Sequence, residues 1–238
     1  MPVRFTKPAI LVSLLVSVAL SGHFVMMAAS PVVIPVAAPL VMDLPSIPEL
    51  EPLLVPQQAT LEALAGLHGL PLPLPNPKIV IEKSKYMLIL YSGDTPVKAY
   101  RVGLGASPVG QKEREGDNRT PEGVFYVCQK AGASSLHDPY LGTRWMRLSY
   151  PDIEAGRRGL EAGVISRSTF QAIESAIAAG RIPPQHTPLG GGIGIHGGYD
   201  LVPAGQRNWT QGCIGMYNAD VEELYGQVSL GTPVIIRP

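Results

Sequence analysis

Between Lys7 and Lys78 the chain has no lysine or arginine. Positive charge stays on the cytoplasmic side of a membrane, so this gap predicts a cytoplasmic N-terminus with everything downstream outside. Net charge is missing as well: 19 basic residues face 19 acidic ones. That excludes the electrostatic footprint of a nucleic-acid binder or of a protein held on an anionic membrane surface. A small neutral or zwitterionic substrate fits better. Cysteine is scarce, with Cys128 and Cys213 alone. In an oxidising compartment the two could pair, but one bridge is not a disulfide framework, and 238 residues can build a core without it. Internal repeats are absent.

What is present begins with an export pattern. Residues 1–8, "MPVRFTKP", carry Arg4 and Lys7, and the apolar run Ala9 to Leu20 follows, the charged and apolar regions of a secretory signal. "ALS" before Gly22 offers a cleavage site, yet the chain stays apolar for about the 20 residues a membrane span needs. Residues 1–30 therefore read as a signal peptide or an N-terminal membrane anchor. No cysteine follows the apolar run, which argues against a lipid-modified mature N-terminus. Residues 31–77 are dense in proline, ending in "LPLPLPNP". This composition favours a semi-rigid extended linker, with one short helix in "QQATLEALAGLHGL" placing Leu61, Leu64 and Leu67 on a face.

From Lys78 the pattern turns to short β-rich runs. "KIVIEKS", "YMLILYS" and "TPVKAYRVGLG", separated by Lys-Ser-Lys and Gly93-Asp94 turns, read as an antiparallel meander. "RTPEGVFYVCQK" reads as a tight turn and a strand, Val124 to Gln129, with apolar residues on both faces. Cys128 in that strand is expected to fill the core. Residues 132–190 look like an insertion against the sheet. They hold a helix capped by Ser168 with Gln171, presenting Phe170, Ile173 and Ile177 and stopped by Gly180. A second helix is expected from Ala219 to about Gln227 with Asn218 as cap and Asp220, Glu222 and Glu223 in its first turns. "GTPVIIRP" closes the chain as a strand.

"LGGGIGIHGGYD" matches the G-x-G-x-x-G spacing at Gly192, Gly194 and Gly197. That fingerprint requires a helix to open at the glycines, and the Gly/Pro-rich continuation "GYDLVPAGQRNW" is not one, so no nucleotide cofactor is expected. The run reads instead as a strand, Ile193 to His196, leading into a glycine corner. Cys213 follows 17 residues later in a turn, and a hairpin would let thiol and imidazole meet. An imidazole lowers a thiol's pKa and accepts its proton, and Gly212 leaves backbone N–H groups free to face an oxyanion. A structural histidine and a buried or disulfide-bonded Cys213 are the plainer alternatives. Asp117, Arg119 and Thr120 in "GDNRTPEG" read as turn-forming.

"GIHGG" followed by "WTQGCIGMYNADVEELY" resembles the signature of the L,D-transpeptidase catalytic domain family: His-Gly, a spacer, then [S/T]-x-G-C and a hydrophobic residue. "IVIEKSKYMLILYSGDTPVKAYRVGLG" and "GDNRTPEGVFYV" are similar to the first strands of that domain, so the resemblance covers about Lys78 to Pro238, in the W-T-x-G-C branch. It implies a mainly β fold with inserted helices, an L,D-transpeptidase-like β-sandwich over residues 78–238, acting on peptidoglycan stem peptides in the periplasm or at the outer face of the inner membrane. It implies Cys213 as nucleophile, His196 as general base, the Gly197 carbonyl as the group orienting the imidazole, and backbone N–H groups of Gly212 and Cys213 as an oxyanion hole. Trp209, Thr210, Gln211, Arg144 and Arg147 are the expected substrate contacts. Two positions depart from the commoner pattern: Gln211 stands where a histidine is frequent and Gly215 where an arginine is. Arg144, Arg147 or Arg207 would have to supply the missing charge. No metal or organic cofactor is needed. The acceptor could be a second stem, a lipoprotein lysine, a free D-amino acid, or water, as in a carboxypeptidase or endopeptidase. A noncatalytic wall-binding module is the reading from another class.

Overall fold

The structure, a computed structural model, describes residues 59–238; the signal or anchor and the first part of the linker lie outside them. Three strands form the expected meander: β1 (Pro77–Glu82), β2 (Met87–Ser92) and β3 (Thr95–Arg101). Tyr86 takes a left-handed φ of 52° and Gly93 one of 58° at the two reversals. The last strand of the chain, β10 (Pro233–Arg237), enters parallel to β1 and carries the sheet across to β5 (Gly123–Gly132).

Strand β5 belongs to both halves of the sheet. Its first residues pair with β10, and beyond Val127 it pairs with β6 (Arg144–Leu148), the register shifting between Val127 and Gln129. A bulge of this kind bends a strand and turns a sheet onto itself. The far half continues through β7 (Gly194–His196) to β9 (Ile214–Gly215), giving the order β3-β2-β1-β10-β5-β6-β7-β9. A short parallel ribbon joins β4 (Leu104–Gly105) to β8 (Asn208–Thr210). The fold is thus mainly β with inserted helices, its two layers being the two halves of one curled sheet. Ile79, Ile81, Leu88 and Leu90 from the first half share one core with Met146, Leu148, Ile195 and Ile214 from the second. Each such side chain, fully buried, stabilises by about 1.5–3 kcal/mol.

Alternation along β5 corrects two expectations. Phe125 and Val127 point into the core, which turns Val124, 62% exposed, and the half-buried Cys128 to the other face. Cys128 is therefore not core filler; its thiol donates to the Arg147 carbonyl at 3.5 Å. Both cysteines are free thiols.

Helix α1 (Leu61–Leu67) is capped by Thr60, whose hydroxyl accepts from the Ala63 N–H. Leu61 is buried and Leu64 packs on the core, whereas Leu67 is 81% exposed. Ala65 and Leu74 join the same core. The Leu61 N–H donates to Glu223 at 3.0 Å and the Leu74 N–H to Gln227 at 3.1 Å, so the end of the proline-rich segment folds with the sandwich.

The expected insertion over 132–190 is narrower than that, because Arg144–Leu148 within it is the sheet strand β6; the segment after β6 holds two helices. Helix α2 (Ile153–Glu161), capped by Asp152, contains Gly156 and Gly159, which disfavour helix but are needed here. A Cβ at Gly156 would lie 2.9 Å from Phe170, and one at Gly159 would lie 2.7 Å from Leu189. Helix α3 (Arg167–Ala178) is capped by Ser166, not Ser168, because the Ser166 hydroxyl accepts from the Thr169 N–H. Its Phe170, Ile173 and Ile177 pack with Leu160, Ile165 and Leu189 in a core of their own. Helix α4 (Asn218–Gln227) starts one residue earlier than expected, with no side-chain cap. Asn218 is inside it and its carboxamide is used elsewhere.

Candidate active site

Strands β7 and β9 run parallel, with Ile195 opposite Ile214 and His196 opposite Gly215, so His196 and Cys213 meet across a parallel pair and not through the expected hairpin. Ile195 and Ile214 are fully buried in the core, so by alternation His196 and Cys213 share the opposite face of the sheet. Both line one cleft of about 860 Å³. This juxtaposition follows from parity and register: neither residue could be moved by one position without losing it.

His196 is 3% exposed. The indole of Trp145, its neighbour across the β6–β7 ladder, stacks on the ring at 5.9 Å between centroids, and Trp209 meets it edge-on at 5.5 Å. Nδ1 lies 2.8 Å from the Gly197 carbonyl. A carbonyl only accepts, so the neutral ring carries its proton on Nδ1 and leaves Nε2 with a lone pair. Burial lowers the pKa of His196; the Gly197 carbonyl, the Asp138 carboxylate and the Tyr140 carbonyl work the other way. The ring is therefore neutral at rest, with acceptors in place to stabilise it once it takes a proton.

The glycine corner after His196 is held from helix α4. Asn218 Oδ1 accepts from the Thr143 N–H (3.2 Å) and the Gly198 N–H (3.1 Å), and the Asn218 N–H donates to Asp200 at 2.7 Å. A Cβ at Gly197 would come within 2.3 Å of that Oδ1.

Burial pushes the Cys213 thiol up to about 11, against the Gly194 backbone and the charges of Lys112 and Arg147, which favour the thiolate. The thiol donates to the Gly192 carbonyl at 3.4 Å. A neutral thiol and a neutral imidazole lining one cleft are the resting state, in contrast to the lowered thiol pKa that an adjacent imidazole alone would lead one to expect.

The turn before Cys213 is built by Thr210, whose hydroxyl donates to the Cys213 carbonyl (2.7 Å) and accepts from the Gly212 N–H (3.1 Å). Two expectations change. Thr210 shapes the backbone, its hydroxyl being used up there, and the Gly212 N–H is already engaged, leaving the Cys213 N–H as the donor of that pair for an oxyanion. Gly212 has φ 130°, and a Cβ there would lie 2.7 Å from the Arg119 carbonyl, so glycine is required.

The model of the L,D-transpeptidase catalytic domain (YkuD) matches residues 76–236. The chain belongs to this family. Among curated proteins nothing matches it. Solved structures similar to it include Bd1075 of Bdellovibrio bacteriovorus, 20% identical over 69% of this chain and 48% of that one, with a TM-score of 0.46. The helical cell shape determining protein Pgp2 of Campylobacter jejuni is 21% identical over 68% and 47%, with a TM-score of 0.45. An L,D-transpeptidase of Mycobacterium tuberculosis is 18% identical over 69% and 58%, with a TM-score of 0.40. The chain spans about half the length of the first of these.

Within this L,D-transpeptidase domain the departure at Gly215 has a steric cause. The Trp209 indole lies between Gly103 and Gly215, and a Cβ at either would come within 2.2 Å of it. Tryptophan and glycine form a matched pair that leaves no room for an arginine. Of the three arginines considered as replacements, Arg147 lines the cleft. Arg144 is turned away by alternation; it donates to the Thr143 carbonyl at 2.7 Å and lies 3.7 Å from Glu222. Arg207 sits over the Tyr86 ring at 5.4 Å. Trp209 and the exposed Gln211 line the cleft with Cys213.

Asp117 and Thr120 have structural tasks. Burial alone would raise the Asp117 pKa, but hydrogen bonds from Lys112 Nζ and the N–H groups of Glu113, Arg114 and Arg119 hold it down at about 2. Thr120 Oγ1 accepts from the Gly105 N–H at 3.0 Å. The residues that sequence reasoning missed are Trp145, Lys112, Gln185 and Asn218. Trp145 was detectable as the i−2 neighbour of Arg147 on one strand face; Gln185 carried no local signal.

Proposed function

We propose that this chain is a cysteine-dependent peptidoglycan L,D-transpeptidase, exported by its N-terminal segment and working on stem tetrapeptides outside the inner membrane. The observation that carries the reading is the pair His196 and Cys213 on one sheet face in one cleft, with Nδ1 held at the Gly197 carbonyl.

The chemistry follows from the protonation states. The Cys213 thiol swings from the Gly192 carbonyl toward the imidazole and attacks the carbonyl that joins the third stem residue to the terminal D-Ala. Its proton passes to Nε2. The oxyanion of the tetrahedral adduct faces the Cys213 N–H. Collapse breaks the C–N bond, the imidazolium gives its proton to the departing D-Ala amine, and a thioester remains. An acceptor amine, from a second stem, a lipoprotein lysine or a D-amino acid, loses a proton to Nε2 as it attacks, and thiol and neutral ring are restored. Residues of this chain carry every step.

The test uses soluble protein beginning at residue 59 with purified tetrapeptide muropeptide, beside Cys213→Ala and Cys213→Ser. A thioester mass on the wild type alone, with cross-linked or D-amino-acid-exchanged products, supports transfer. Tripeptide as the sole product assigns the site to hydrolysis. Products that persist in the serine and alanine variants would overturn the reading by showing turnover that does not need Cys213, and no product in any protein would overturn it in favour of a noncatalytic wall-binding module.

A further inference from the structure

Arg147 lies on the cleft face two residues from Trp145, directly across the ladder from Gly194. Continuing the β7–β9 register by one residue puts Gly194 beside Cys213. Arg147, Gly194 and Cys213 thus form a row across three strands, with the outer two Cα atoms about 10 Å apart at ordinary strand spacing. The space over the middle residue is filled by the Trp145 indole, which a Cβ at Gly194 would meet at 2.6 Å. A group attached close to a carbonyl at the thiol therefore reaches toward the arginine along the cleft that Trp145, Arg147 and Cys213 line together.

The guanidinium is held without being neutralised. Nε donates to Gln129 Oε1 and Nη1 to Gln185 Oε1, both at 2.7 Å, and the group lies over the Trp145 ring at 5.5 Å. Both side-chain partners are neutral amides, and no carboxylate pairs with Arg147 among the described residues. Lys112, the other cation at the cleft, is paired with Asp117 at 2.7 Å. Gln185 cannot turn away. Its Nε2 donates to the Tyr150 carbonyl (3.0 Å) and the Pro183 carbonyl (2.8 Å), and its Oε1 also accepts from the Gly192 N–H at 2.8 Å. Through Gly192, whose carbonyl accepts from the thiol, the same carboxamide is tied to Cys213. An arginine fixed by two amides presents a planar, unspent charge with the geometry of a carboxylate receptor.

We infer that Arg147 is the carboxylate subsite of the cleft, taking the C-terminal α-carboxylate of the donor peptide, and that Gln185 of the insertion is its positioning residue. The identity of the donor rests on the proposed function; the charge preference does not. An uncompensated cation beside the nucleophile makes the site select a chain end, so the bond broken is the last one of the stem.

The experiment measures binding without turnover. In the Cys213→Ala protein, calorimetry compares a stem tetrapeptide ending in a free carboxylate with its C-terminal amide. The expected preference for the acid is about ten- to a hundredfold, the usual scale of a charge-assisted pair. Adding Arg147→Gln should bring the ratio close to one. Gln185→Glu, which places a competing carboxylate on the guanidinium and gives up the two donations to the Tyr150 and Pro183 carbonyls, should do the same while leaving amide binding within about twofold. An acid preference that survives both substitutions overturns the subsite, as does equal binding of acid and amide in the parent. If the acid preference is found and lost as expected while wild-type protein shows no cysteine-dependent turnover, the subsite stands and the proposed function falls.

Discussion

Trp145 and His196 face each other across neighbouring strands and stack at 5.9 Å with 29° between their planes. The indole is one wall of the burial that keeps the imidazole below its ordinary pKa. Removing it admits water, and water favours the charged ring. The ring must be neutral to accept the thiol proton, so in Trp145→Ala the acid limb of kcat/KM should move to higher pH, toward the ordinary histidine value of about 6.5. Trp145→Phe should shift it less. A pH profile of tetrapeptide turnover reads this, and an unmoved acid limb in the alanine variant would count against burial as the cause.

Cys213 carries the second expectation. With its thiol pushed up to about 11, the protein holds almost no Cys213 thiolate at neutral pH, and the species that reacts with an alkylating agent is the anion. Alkylation of Cys213 by iodoacetamide should accelerate close to tenfold per pH unit from 7 to 9, followed by mass spectrometry so that Cys128, also raised to about 11, is scored separately. A rate already level by pH 7 would reveal a preformed thiolate and imidazolium pair.

What could be read in advance followed the range of each signal. The meander from Pro77 to Arg101 depends on turn residues and strand parity close in the chain, whereas "IHGG" and "TQGC" meet across a parallel pair that no turn residue announces and that replaces the expected hairpin. Arg144 and Arg147 differ by three positions and so fall on opposite faces of β6; strict period-two counting would have kept only Arg147 with Trp145. Helix α2 was hidden because Gly156 and Gly159 look like breaks until Phe170 and Leu189 are seen against them. Asn218 sits where a cap is expected, yet its carboxamide reaches Thr143, 75 residues away. Gln185 is held by the carbonyl of Pro183 in its own loop and by the distant carbonyl of Tyr150, and nothing local announces the second contact.

That carboxamide of Asn218 supports the third prediction. It satisfies the Thr143 and Gly198 N–H groups beside the corner whose Gly197 carbonyl holds Nδ1. Asn218→Ala leaves both donors without that acceptor, at a cost of about 1–3 kcal/mol, and lets the corner drift. The kcat should fall about ten- to a hundredfold with KM changed far less, since Asn218 is not among the residues that line the cleft. Asn218→Asp, which keeps the acceptor oxygen, should recover most of the loss of stability. Equal losses of melting temperature in both variants would rule out the hydrogen-bonding role.

Residues 59–77 supply the last test, of the sandwich itself. Leu61 and Leu74 are buried in the shared core, and Glu223 accepts from the Leu61 N–H as well as from Lys98 (2.5 Å) and Tyr100 (2.8 Å). A protein beginning at Lys78 loses both leucines, whose burial contributes roughly 3–6 kcal/mol at about 1.5–3 kcal/mol each, an upper bound because unfolded chains are partly compact. Within the longer protein, Leu61→Ala should cost about 2–5 kcal/mol. Urea denaturation of the proteins beginning at 59 and at 78 should therefore separate their midpoints, with the Leu61→Ala protein between them. If the midpoints coincide, α1 rests on the domain without stabilising it, and the Glu223 network alone would have to hold the helix in place.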